Sequence, residues 1–217
     1  MDGNRRWARA RGLPAIEGHR EGYKTVDRVS SWCFDRGINQ ITLYAFSTEN
    51  WKRSKEEVRD LFEFFKWVLT MDIKRLNEKG VQLQVIGQIK TLSRLLQRKI
   101  RQAVELTKKN NRGIVTLALN YGGREEIIHA IKEMIAQKLK PNEITEETVA
   151  QNLYTKGTSD PDFIIRTAGE QRLSNFLTWQ STYSELYFCD TLWPDFSEKD
   201  LDMALADYAG RKRKFGK

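Results

Sequence analysis

Apolar positions along this chain follow two alternating rhythms. Val26, Val29, Trp32 and Cys33 recur at helical spacing after Gly18-His19-Arg20-Glu21-Gly22, and the pattern stops at Gly37. Residues 41–46 form a continuous apolar run that reads as a buried strand and empties into the polar group Ser47-Thr48-Glu49-Asn50-Trp51-Lys52-Arg53. A long helix is predicted over 55–79. Val58, Leu61, Phe62, Phe65 and Leu69 make one stripe, and Phe64, Trp67, Val68 and Met71 widen it beyond what covering one sheet face requires. That width fits a dimer interface or a deeply buried helix, and equally a wall of a long apolar ligand groove; the two are compatible.

Val81–Ile86 alternates like a strand, 92–109 reads as a basic amphipathic helix, and 114–119 as a second buried strand with its exit turn at 120–124. Helical spacing resumes at Ile127, Ile128, Ile131 and Ile135, and a short capped helix begins near Thr145-Glu146-Glu147. A strand over 162–166 ends in charge, Glu185–Phe188 is the last predicted strand, and 200–208 the last helix. The tail Arg211-Lys212-Arg213-Lys214 reads as a solvated terminus. Alternating strand and helix signals predict an α/β class, one domain over 1–217 with a mostly parallel central sheet flanked by helices.

Composition narrows the partners. Among 217 residues, 37 Lys and Arg face 29 Asp and Glu, a formal charge of +8, so an anionic partner is expected: nucleic acid, an acidic membrane surface or phosphorylated small molecules. Two cysteines, Cys33 and Cys189, sit in apolar stretches without metal-ligand spacing, which points to a reducing, cytoplasmic compartment. No run is long and apolar enough to span a bilayer, so membrane contact is expected to be peripheral.

The candidate chemistry begins at Met1-Asp2-Gly3-Asn4-Arg5-Arg6-Trp7-Ala8. Gly3 lets backbone approach a ligand closely, a helix start offers free N–H groups, and Arg6 supplies a bidentate fork, a layout suited to a metal-bound polyphosphate with Asp2 on the magnesium. Asp-Gly-Asn runs are also ordinary turns, and paired arginines are often only a solvated surface. Polar residues just past a strand's end, as at 47–53, lie where open α/β sheets place ligands. The loop Thr167-Ala168-Gly169-Glu170-Gln171-Arg172-Leu173-Ser174-Asn175-Phe176 after Arg166 holds arginines, a hydroxyl and a glycine turn, a second phosphate site.

These stretches, with Asn120-Tyr121-Gly122-Gly123-Arg124 and Ser184-Glu185-Leu186-Tyr187-Phe188, come in an order that resembles the cis-prenyltransferases, the undecaprenyl diphosphate synthase family of bacterial homodimeric type. The resemblance runs from Met1 to Gly216. It implies repeated condensation of isopentenyl diphosphate onto an allylic diphosphate such as farnesyl diphosphate, with cis double bonds, a magnesium requirement and a long undecaprenyl-like product for a cell-wall lipid carrier. It also implies a cytoplasmic homodimer at the membrane surface, with no nucleic acid partner. By match to the family's motifs, Asp2 would bind magnesium and promote departure of the allylic diphosphate, which Gly3, Asn4, Arg5, Arg6 and His19 would hold. Trp7, Ser47, Thr48, Glu49, Trp51 and Arg53 belong to the same substrate-facing stretches. Arg166, Arg172, Leu173 and Ser174 match the isopentenyl diphosphate site, Glu185 the second metal carboxylate, and Asn50 the position assigned to proton removal. A neutral amide is a poor base, so Asn50 is expected to position the proton or relay it to a diphosphate oxygen.

The chain also departs from that pattern. Ala15 stands where the family usually has a diphosphate-binding arginine, with Arg5 or Arg20 as candidates to compensate, and Gln88 replaces a common aspartate. The family's short apolar strand before the opening motif does not precede Met1 here, so the expectation is either a sequence cut short of that strand or an Asp2 on a mobile terminus with a depleted sheet. Lower stability and weaker magnesium binding than in a version with that strand are then expected. Some family members are non-catalytic partner subunits, the alternative to an enzyme. Retention of Asp2, Asn50, Arg172, Ser174 and Glu185 favours the enzyme.

Overall fold

The protein is described from a computed structural model, over residues 1–212; Arg213 and Lys214 of the basic tail lie outside the described residues. In chain order the elements are α1 (Asn4–Ala10), α2 (Ala15–Asp35), β1 (Gln40–Ser47), α3 (Lys55–Trp67), α4 (Ile73–Glu78), β2 (Val81–Ile86), α5 (Arg94–Thr107), β3 (Gly113–Tyr121), α6 (Gly123–Ala136), α7 (Glu146–Ala150), β4 (Phe163–Arg166), β5 (Glu185–Phe188) and α8 (Glu198–Gly210). Every strand pair is parallel: β3 lies between β1 and β2, and β4 pairs with β5. The expected mostly parallel α/β sheet is therefore present, in a three-stranded and a two-stranded part. The opening residues join the two parts, since Met1 packs against the apolar cluster that Ile165 of β4 also joins and against the one that contains Leu43 of β1.

Local chemistry explains most boundaries. Ser54, Ser93 and Ser197 cap α3, α5 and α8 by accepting the N–H groups of Glu57, Leu96 and Asp200, each satisfying a donor that the first turn leaves free. The largest apolar cluster packs Leu61, Leu69 and Ile73 of the α3–α4 stretch and Leu96, Ile100 and Ala103 of α5 onto Phe46, Leu83 and Leu119.

Three boundaries differ from the periodicity. The single helix expected over 55–79 is broken by one π turn, Val68–Asp72. Thr70 there donates its hydroxyl to the Lys66 carbonyl at 2.6 Å, a back-bond that bends helices, and Asp72 is held by the Tyr23 hydroxyl. Strand β3 runs through Asn120 and Tyr121, leaving Gly122 as the exit turn, because Tyr121 still pairs with Ser47 of β1 although Asn120 adopts φ 52°. Helix α2 begins well before its apolar stripe. A Cβ on Gly18 would lie 2.0 Å from the Asn4 carbonyl oxygen and one on Gly22 2.2 Å from Asn4 Oδ1, so these glycines let α2 meet the start of α1 backbone to backbone. Among the described residues no helix is long and apolar enough to cross a membrane.

Candidate active site

A cavity of about 1370 Å³ lies between β1 and β4 and is lined along both strands, from Gln40 to Ser47 and from Phe163 to Arg166. One end is cationic, with Arg5, Arg6, Arg53, Arg166 and Arg172 in its lining, and the other is walled by Leu61, Phe64, Phe65, Leu69, Leu83 and Leu117.

Asp2 is fixed at the cationic end by its backbone. Its N–H donates to Thr167 Oγ1 at 2.9 Å, and its carbonyl accepts from the Thr167 hydroxyl at 2.8 Å and from Trp193 N–H at 2.9 Å. Its carboxylate accepts from Gly3 N–H at 2.7 Å and from Arg166 Nη2 at 3.1 Å, with Arg6 at 3.8 Å. Burial alone would raise the Asp2 pKa; the Arg166 and Gly3 hydrogen bonds outweigh it and hold the group below its ordinary value. Gly3 adopts φ 104°, and a Cβ there would lie 2.9 Å from Leu192 Cδ2, so both its conformation and its surroundings require glycine. Helix α1 has only seven residues, so positive charge here comes mainly from arginine side chains rather than from a macrodipole.

Each of those arginines rests on a carboxylate. Arg5 and Arg53 share Glu57 at 3.5 and 2.9 Å, and Arg6 and Arg172 share Glu170 at 3.6 and 2.5 Å. Arg166 donates to Ser174 Oγ at 2.8 Å and to the Arg172 carbonyl, which ties the end of β4 to the following loop. His19 is largely enclosed, with Nε2 buried and unpartnered; burial, then the charges of Arg53 and Arg5, pull its pKa down to about 4. Asn4 Oδ1 is also buried without a partner. The orphaned His19 nitrogen beside a cluster of arginines fits a site awaiting an anionic ligand, whereas the Asn4 oxygen, an acceptor set against Gly22 of α2, has no donor to offer one.

Asp2, Gly3, Asn4, Arg5, Arg6, His19, Ser47, Glu49, Asn50, Arg53, Arg166, Arg172, Leu173 and Ser174 all line this one cavity. Four other expected residues are placed elsewhere. Trp7 faces outward, donating to Asp195 at 2.6 Å beneath the Arg11 guanidinium. Trp51 donates to Asn120 Oδ1 and stacks on Phe62, and Thr48 lies against Gly122. Glu185 pairs with Phe163 at the N-terminal end of the β4–β5 ladder, opposite the end that bears Arg166, and accepts from Arg211 at 2.8 Å. The structure therefore does not bring Glu185 to Asp2. Asn50 reaches the cavity, but its Oδ1 already accepts Ser47 N–H at 3.2 Å in the cap of the 3₁₀ turn Thr48–Lys52.

Thr167, Glu57, Glu170 and Asn175 support the site in ways that no motif assigns to them individually. Asn175, at φ 66°, donates to Glu49 and accepts from Arg124 N–H, which joins the loops after β1 and β4 to the start of α6. A Ser-Asn pair inside a phosphate loop was the available signal, since Asn tolerates left-handed backbone.

Among the described residues no three His, Cys, Asp or Glu side chains converge as a metal-binding group. Magnesium usually takes one or two carboxylates and fills its remaining positions with water and substrate phosphates. Asp2, half-exposed at the cavity and carrying one carboxylate, fits an ion brought in on a diphosphate rather than a resident metal centre.

Comparison with known proteins gives the family. The sequence profile of the family described as "Putative undecaprenyl diphosphate synthase" matches residues 1–216. An isoprenyl transferase of Heliobacterium mobile is 46% identical over 220 residues, covering 100% of this chain and 85% of the relative. A protein of Legionella pneumophila (strain Paris) named ditrans,polycis-undecaprenyl-diphosphate synthase, (2E,6E)-farnesyl-diphosphate specific, is 44% identical, covering 100% and 92%. The crystal structure of lavandulyl diphosphate synthase from Lavandula x intermedia with dimethylallyl diphosphate superposes with a TM-score of 0.95 at 40% identity, covering 100% of this chain and 95% of that one. A probable undecaprenyl diphosphate synthase from Campylobacter jejuni gives 0.82 at 36% identity, covering 91% and 93%.

Proposed function

The chain belongs to the undecaprenyl diphosphate synthase family and is an isoprenyl transferase, and from that premise we propose that it condenses isopentenyl diphosphate repeatedly onto a farnesyl-type allylic diphosphate, with magnesium, to give a long cis-polyprenyl diphosphate. The observation that carries this reading is one cavity with an arginine-rich end and an apolar wall, since a prenyl diphosphate is an anion joined to a hydrocarbon. The farnesyl specificity in the name of the Legionella relative supports that primer.

In this reading Arg5, Arg6, Arg53 and His19 bind the allylic diphosphate, and Arg166, Arg172 and Ser174 the isopentenyl diphosphate. Asp2 would hold the magnesium ion, whose charge neutralises the leaving diphosphate. The allylic C–O bond breaks with its electron pair leaving on the diphosphate, the terminal alkene carbon of isopentenyl diphosphate bonds to the freed allylic carbon, and a proton is lost to form the new double bond. Asn50, as a neutral amide engaged in a cap, orients the isopentenyl group while a diphosphate oxygen takes the proton. Leu61, Phe64, Phe65 and Leu69 receive the growing chain and keep water from the reacting carbon.

The proposal extends to a homodimer, a cytoplasmic location with peripheral membrane contact, and an undecaprenyl-like product used as a cell-wall lipid carrier. Support for the dimer comes from Ile128, Ile131 and Ile135, exposed along one side of α6 with Ile135 at 70%.

The deciding experiment is incorporation of labelled isopentenyl diphosphate into lipid, primed by farnesyl diphosphate, with magnesium or excess chelator and with product length resolved. Magnesium-dependent elongation is expected. Absence of incorporation by a folded protein overturns the enzymatic reading and favours a non-catalytic partner subunit.

A further inference from the structure

Residues 90–112 carry Lys90, Arg94, Arg98, Lys99, Arg101, Lys108, Lys109 and Arg112 against the single carboxylate of Glu105, so nearly all of the chain's formal charge of +8 is concentrated there. Most of this stretch is α5. Its buried stripe, Leu96, Ile100, Ala103 and Thr107, faces the core, and Arg94, Arg98 and Arg101, at helical spacings of four and three, project from the opposite side. Those three arginines are exposed and have no ion pair among the described residues, while Glu105 is taken by Lys108. Leu95 and Leu106 are exposed on the flank of this cationic face.

That flank adjoins the wall of the cavity. Lys99 donates to Thr70 Oγ1 at 2.5 Å, on the π turn between α3 and α4. The inner side of the same stretch lines the cavity through Phe64, Val68 and Leu69, whereas Trp67 and Met71 are exposed, Met71 at 67%.

We infer that the α5 face, with Leu95, Leu106, Trp67 and Met71 at its border, docks on a bilayer surface containing anionic phospholipid. Unpaired cations attract the anionic headgroups, and exposed apolar side chains that are unfavourable in water enter the boundary between headgroups and acyl chains. A single-stranded nucleic acid would use the same charge but binds through aromatic platforms among the cations for base stacking, and α5 carries none. The inference rests on the proposed reading only for its purpose: docking here sets the wall of the prenyl cavity against the phase into which an apolar product passes.

The test is co-sedimentation of the full chain with phosphatidylcholine vesicles, with and without phosphatidylglycerol, beside the incorporation assay in detergent. Binding is expected only with phosphatidylglycerol and weakens with added salt. The triple variant Arg94→Gln/Arg98→Gln/Arg101→Gln is expected to lose about a hundredfold in vesicle partition, roughly fivefold per charge, with unchanged detergent activity and melting temperature. Leu106→Ser lowers partition by a smaller factor. Equal vesicle binding by wild type and the triple variant overturns the assignment. So does retention on single-stranded RNA without vesicle binding. Normal vesicle binding without incorporation overturns the enzymatic reading and leaves the docking face standing.

Discussion

Gly18→Ala tests how the start of α1 is held. In an ordinary helix interior the change would stabilise by about 1 kcal/mol through backbone entropy. Here the added Cβ would lie 2.0 Å from the Asn4 carbonyl oxygen, 2.8 Å from its carbonyl carbon and 3.2 Å from Ala8 Cβ. Two of the three contacts are with backbone, so no rotamer change relieves them, and α1 must move by about 1.4 Å to regain van der Waals distance. Overpacking of this kind costs about 1–3 kcal/mol, which exceeds the propensity gain. A fall in Tm of a few degrees is expected, at roughly 2–4 °C per kcal/mol for a chain of this size. The larger effect falls on activity, since α1 carries Arg5 and Arg6 and a displacement of about 1 Å at a reacting centre can cost roughly a hundredfold. Gly210→Ala is the control, because nothing lies within 4 Å of its Cβ. A Gly18→Ala protein that melts higher than wild type with unchanged kcat/KM would show that α1 does not depend on this approach.

Asp2→Asn keeps the backbone clip to Thr167 and Trp193, so Tm should change little, while several kcal/mol of lost charge stabilisation lowers kcat by about a hundredfold or more. Steady-state rates across a magnesium series check this, and a wild-type magnesium dependence refutes it. His19 has an ordinary pKa near 6.5 and about 4 when folded, so the unfolded chain takes up its proton first. Stability from the neutral ring is complete above about pH 6.5 and is lost, by up to about 3 kcal/mol, as pH falls from there to about 4. His19→Gln should flatten the Tm profile between pH 7 and 4.5, and parallel profiles sink the assignment. Ala45, at the register shift of β1 between Tyr44 and Phe46, lines the cavity. Ala45→Leu should shorten the product, and an unchanged chain-length distribution by chromatography contradicts that placement.

Local patterning made most of the fold legible, and long-range pairing hid part of the site. Val81–Ile86 and Glu185–Phe188 are strands as their alternation and composition predict, and the charged ends of the strands do meet at one cavity. The motif around Glu185 does not reveal which end of its strand faces the ligand. Only the parallel register, Phe163 with Glu185 and Arg166 with Phe188, shows that Glu185 lies about 10 Å of strand from the charged end. The place of Trp7 is hidden for a related reason, since Gly3 starts a helix that turns position 7 toward Asp195. Glu57 and Glu170 escaped notice because their roles exist only through arginines far away in the chain, Arg5 for the one and Arg6 for the other.

Those carboxylates suggest a division of labour in the site. Without ligand, Glu170 draws Arg6 of the opening motif and Arg172 of the second loop to one point, bridging the two proposed diphosphate sites. Glu170→Gln has two opposed consequences. Removing an anion strengthens the field on phosphate, but both pairs involve half-exposed or more exposed arginines, and such pairs are typically worth under about 1 kcal/mol each. Releasing two long side chains means that each must be ordered again on binding, at about 0.5–1.5 kcal/mol apiece. Screening weakens the first term and leaves the second untouched, so KM for both diphosphates should rise, by about fivefold, while kcat changes less. A fall in KM for either substrate would mean that Glu170 only competes with phosphate. A rise confined to one would place Arg6 and Arg172 in independent sites, with Glu170 orienting a single arginine rather than setting both forks before the ligands arrive.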